Sequence, residues 1–106
     1  MNIKTVILLA SGLELIASVE EVRSSFSGEL THYRLNKPFK IDTAFIPTEG
    51  EKGVAMIGAP QMLPLMVSAI ESHIEVPASQ AVLLSTNARF EAAYVQRTTG
   101  LQLARG

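Results

Sequence analysis

The chain has 106 residues, 47% of them hydrophobic and 18% charged, with nine Lys and Arg against ten Asp and Glu and a formal net charge of −1. That length supports one domain with a modest core, and a near-neutral charge with no run of basic residues gives little counterion-release drive toward nucleic acid. The absence of cysteine excludes disulfides and thiolate metal sites. An apolar fraction this high for a soluble chain points part of the surface toward a subunit interface.

Ile3 to Ala10 is apolar at nearly every position and β-branched early, which predicts a strand buried on both faces. Lys4 sits inside that pattern, and no signal-peptide sequence is visible, so a soluble, cytoplasmic chain is expected. Ser11-Gly12 predicts a tight turn into a second strand, Leu13 to Arg23. Leu13, Leu15, Ala17 and Val19 share one face, and then Glu20-Glu21 shifts the phase before Val22. A bulge or sharp bend near Glu20–Val22 is the expected solution.

Ser24 to Thr31 reads as a polar loop. Tyr33, Leu35, Phe39 and Ile41 are expected on one strand face, with Arg34, Asn36, Pro38 and Lys40 on the other. Pro38 cannot donate to a ladder, so it marks an edge or a bulge. Pro47 to Gly53 (PTEGEKG) predicts a charged surface loop. Val54 to Ile70 is the most membrane-like stretch, but Pro60, Gln61, Pro64 and Ser68 interrupt it. Met62 to Ile70 is apolar on both faces, and clean alternation follows from Ile70 to Val76. A short turn at Pro77-Ala78-Ser79 and a last strand over Gln80 to Ser85 come next. Asn87 as cap, Phe90 and Tyr94 at i,i+4 and Gly100 as terminator predict a helix over 87–99, covering an open end of the strand body, with a frayed tail.

The order of Gly12, Ala17, Val19, Val22 and Phe26 resembles the first motif of the Sm and LSm family of small β-barrels. Within that family the chain is most similar to Sm-like proteins of tailed bacteriophages, cyanophages above all, through Leu9–Gly12, Leu35–Pro38 and Ile74–Pro77. The resemblance covers about residues 3–86 and implies a mainly β fold: a five-stranded, strongly bent, open barrel of SH3 type, here carrying one C-terminal helix in a single domain of 1–106. It also implies a homo-oligomeric ring, closed through the edges of the last two strands, and single-stranded RNA as first ligand. In the family an Asp stands eleven residues beyond the turn Gly and an Asn fifteen beyond; these positions are Arg23 and Ser27 here, and Pro77-Ala78 replaces the usual Arg-Gly turn. Most base-contacting residue types are therefore missing, and a structural ring with protein partners stands as the alternative.

The candidate RNA-contacting residues are Arg23, Phe26, Ser27, Asn36 and Lys37. Phe26 can stack on a base or fold back over the barrel mouth. Asn36-Lys37 can contact a base edge or phosphate, or support a strand bend. Arg34, Asn36 and Lys40 would form a basic strip that Asp42 and nearby glutamates neutralise. His32 and His73 lack metal-ligand spacing and are expected exposed. No nucleophile elbow or phosphate loop occurs, so neither catalysis nor a cofactor is expected.

Overall fold

The computed structural model describes residues 2–50, 53–65 and 72–99, with the backbone alone described at 44–46, 48 and 54–57. Six strands appear: β1 (Ile3–Leu8), β2 (Glu14–Arg23), β3 (Leu30–Gly50), β4 (Gly53–Pro64), β5 (His73–Pro77) and β6 (Ala81–Ser85). A 3-10 turn, Ala78–Gln80, joins β5 to β6, and one helix, α1 (Ala88–Thr99), ends the described chain. The fold is mainly β, an open antiparallel sheet in the order β4-β3-β2-β1-β6, with β5 also on β3. One edge of β3 pairs with β2 from Leu30 to Lys40. Its other edge takes β5 along His32–Asn36 and then β4 along Phe39–Gly50.

The first turn follows from Gly12, whose φ of +74° is cheap only without a Cβ. Its N–H donates to the Leu8 carbonyl at 2.7 Å, and the Leu8 N–H donates to the Leu13 carbonyl at 2.9 Å. β2 then carries apolar residues on both faces, and two cores result. Leu15, Ala17 and Val19 meet Val6 and Leu35, flanked by Ile74 and Val76 of β5 and by Ala81 and Leu83 of β6. Since β5 and β6 lie far apart in the pairing order, the sheet must curl for them to share this cluster. Each fully buried side chain of this kind contributes about 1.5–3 kcal/mol.

Ile16 points the other way. It packs with Met62 and Tyr94, beside Ile3, Phe39, Ile41, Phe90 and Ala93. The helix forms where expected, with the Asn87 Oδ1 accepting the Phe90 N–H at 3.0 Å. It does not cover an open end. Phe90 and Tyr94 lay it across the sheet face opposite the first core.

The bends also differ from expectation. Glu20, Glu21 and Val22 pair in regular register with Arg34, Tyr33 and His32, and the irregularity expected near them comes directly after, between Val22 and Arg23. Both irregularities place their extra residue in β3 instead. Ile16 faces Phe39 and Ser18 faces Asn36, leaving Lys37 and Pro38 opposite Ala17 alone. Lys37 takes a left-handed φ of 47°, so the chain turns over at this point. Tyr33 and Leu35 therefore stay with the first core while Phe39 and Ile41 cross to the helix side, correcting the single face expected for all four. The second extra residue is Thr31, where Val22 pairs with His32 but Arg23 with Leu30.

The loop expected over 47–53 is mostly strand. β3 continues to Gly50, Gly50 pairs with Gly53, and β4 returns along it, adding a sixth strand to the five expected. Beyond Lys40 β3 has lost β2, so Thr43–Pro60 is a two-stranded ribbon. The radius of gyration, 16.9 Å, exceeds the roughly 13 Å of a compact domain this long. Of the strand expected over 62–70, Met62–Pro64 closes β4 and 66–71 lie outside the described residues, as does the tail beyond 99. The alternation expected from Ile70 becomes a strand at His73.

Candidate functional site

The five candidate residues fall into two groups. Arg23, Phe26 and Ser27 belong to the turn between β2 and β3. Ser24 organises it: its Oγ accepts the Phe26 N–H at 3.2 Å and the Ser27 N–H at 3.4 Å, while its own N–H donates to the Glu29 carbonyl at 2.9 Å. Gly28, at φ +74°, lets the chain reverse. Arg23 donates to the Glu21 carboxylate at 2.8 Å and to the Gly28 carbonyl at 3.2 Å. Ser27 Oγ accepts the Glu29 N–H at 3.2 Å. Phe26 does not fold back over the body; it is 99% exposed.

Asn36 and Lys37 sit at the β3 bulge. The Asn36 amide donates to Glu20 Oε1 at 2.7 Å and to the Ser18 carbonyl at 3.4 Å. Lys37 Nζ donates to the Thr98 carbonyl at 3.1 Å, placing a cation at the negative end of α1. Both border a groove with Ser18, Tyr94, Thr98 and Thr99. Arg23 lies five residue steps along β2 from Ser18, which faces Asn36. At about 3.3 Å per residue that is about 16 Å. The two groups do not converge.

Tyr94, read from sequence only as a packing residue, is the organising side chain of the second group. Its hydroxyl accepts the Ser18 N–H at 3.0 Å and donates to the Asn36 carbonyl at 2.7 Å. Ser18 and Asn36 face each other, so the phenol stands inside the ladder next to the bulge. Burial raises the Tyr94 pKa and keeps the hydroxyl a donor. Arg97 completes the clamp: it donates to the Met62 carbonyl at 2.6 Å and lies 4.7 Å from the centre of the Phe39 ring, which meets Tyr94 edge-on. No sequence signal announced the phenol's role, because it depends on where the bulge falls.

Charge on the outer strand faces is largely paired. Glu75 contacts His32 Nε2 and lies 3.7 Å from Arg34, and the His32 hydrogen bond holds the Glu75 carboxyl below its ordinary value. Lys40 lies 3.3 Å from Asp42, whose pKa is lowered first by the Thr43 N–H and then by Lys40. The expected basic strip is thus neutralised. His32 and His73 are half-buried rather than exposed. Among the described residues no group of three or more acidic, His or Cys side chains can hold a metal. No described helix is long and apolar enough to cross a membrane.

What the surface does present is unpaired strand edge and exposed apolar side chains. Val82 and Leu84 on β6 are 41% and 50% exposed, and Phe26 stands free on the turn. No family model matches the chain, and no curated protein does.

Proposed function

We propose that the chain is a non-catalytic, Sm-like assembly module whose curled sheet acts as a small bent barrel and joins copies of itself into a ring. The carrying observation is the pair of strand edges at the two sides of the curl. β5 pairs only with β3 and β6 only with β1 among the described residues, so each offers a free row of backbone donors and acceptors. An antiparallel contact between β6 of one copy and β5 of the next would satisfy both rows and cover Val82 and Leu84. The contact is head-to-tail, so it closes into a ring when the rotation permits. The resemblance of the Gly12-to-Phe26 pattern to the first motif of the Sm and LSm family supports the same reading. The module works in the cytoplasm, that of the host if the chain is viral.

Single-stranded RNA is the ligand the family resemblance suggests, and the ring's partners are proteins in the second reading. The second is favoured by the internal bonding of Arg23, Asn36 and Lys37, which leaves Phe26 as the one free candidate for base stacking. Light scattering coupled to size-exclusion chromatography, with and without a poly-U or poly-A oligonucleotide, tests both. A multiple of 11.4 kDa supports the ring. Co-elution with oligonucleotide that weakens in salt and with Phe26→Ala supports RNA. A monomer at 11.4 kDa overturns the assembly reading.

A further inference from the structure

The ribbon of Thr43–Pro60 is built unlike the rest of the surface. Its charged residues, Glu49, Glu51 and Lys52, all fall within positions 49–52 of the sequence. Its two strands are otherwise made of Ala, Phe, Ile, Val, Met, Gly, Pro and Thr. Pro47, Gly58 and Pro60 are exposed, and among the described residues neither strand has a partner besides the other over this stretch. An isolated two-stranded ribbon is marginal in water, and an uncharged one with two free edges invites association. From Asp42 to Gly50 it reaches about 26 Å at 3.3 Å per residue, enough to lie across a neighbouring body.

We infer that this ribbon is an arm that docks on the adjacent copy of the same chain. The inference rests on the ring reading, which supplies the occupant. β4 and β5 leave β3 along the same edge, so a copy seated on β5 also lies beside the arm. That copy brings β6, with its outward Val82 and Leu84, against an arm of matching apolar composition. Helix α1 covers the corresponding face over Ile3, Ile16, Phe39 and Ile41 and leaves β6 bare. Outside residues 49–52 the arm carries no charge, and neither does β6, whose Val82 and Leu84 are exposed.

The test replaces Thr43–Pro60 by Asn-Gly between Asp42 and Gln61, which face each other in the register and accept a two-residue turn. A second variant, Ile46→Asp with Ile57→Asp, charges one cross-strand pair of the arm and keeps its length. Light scattering on the full chain should give an assembly, and both variants should fall to a lower subunit number or to their own monomer mass, with circular dichroism retained. Variants that keep the full chain's subunit number overturn the arm and leave the ring standing. A full chain that is itself monomeric overturns both.

Discussion

Strand β3 passes through two environments. From Leu30 to Lys40 it is held on one edge by β2 and, over His32–Asn36, on the other by β5. Its residues feed two cores: Leu35 into one, Phe39 and Ile41 into the other. From Thr43 to Gly50 the same strand has β4 as its one neighbour among the described residues. The inner half is specified by burial and two neighbouring strands, the outer half by its pairing with β4. A strand can therefore be paired along both halves while its anchoring is concentrated in one.

The largest effect should come from the inner half. Tyr94→Ala removes a buried ring and frees the helix, and should cost about 3–5 kcal/mol in urea denaturation. A loss below about 1 kcal/mol would break the contrast, since the helix would then be dispensable to the strands beneath it. Tyr94→Phe keeps the ring and deletes the hydroxyl, leaving the Ser18 N–H and Asn36 carbonyl without it. About 1–3 kcal/mol is expected, with faster amide exchange at Ser18. Asn87→Ala removes the helix cap and should cost about 1 kcal/mol, read in the same way.

A smaller effect belongs to the β3–β5 seam. Hydrogen bonding to His32 lowers the Glu75 pKa below 4.5, so its contribution is present above the unfolded value and is lost as pH falls through the lower folded one. Urea midpoints compared across that acid range should converge for the parent and Glu75→Gln, and separate above pH 4.5. Equal separation at all pH values would remove the carboxylate from the account. The smallest effect is expected in the outer half. Ile46→Asp with Ile57→Asp, measured at dilutions where the chain is monomeric, should shift stability by less than about 0.5 kcal/mol.

The same contrast explains what was legible in the sequence. Gly12, the alternation of Leu15, Ala17 and Val19, and the Asn87 cap with Phe90 and Tyr94 are local signals, and each element formed where they stood. Pro38 marked a bulge correctly, but the strand it would turn over could not be foreseen without knowing that Ala17 alone faces Lys37 and Pro38. The arm was missed because Pro47, Gly50 and Gly53 carry turn chemistry. Pro47 and Pro60 are tolerated in strands there because half the ribbon's backbone groups face unpaired edges. Of the candidate site, Phe26 was legible as a loop aromatic but not as an exposed one, whereas Asn36 and Lys37 are bound to Glu20 and to the helix end. Their partners lie far away in sequence, which no local pattern reveals.

The phenol bridging Ser18 and Asn36 has a consequence for how the chain is made. Tyr94 lies 76 residues after Ser18 and 58 after Asn36. During synthesis β1, β2 and β3 emerge long before the hydroxyl that joins two of them at the bulge. The nascent sheet must wait on the ribosome with its second apolar face uncovered, and such long-range closure is slow. The last turns of the chain thus set the moment at which its first half becomes finished structure.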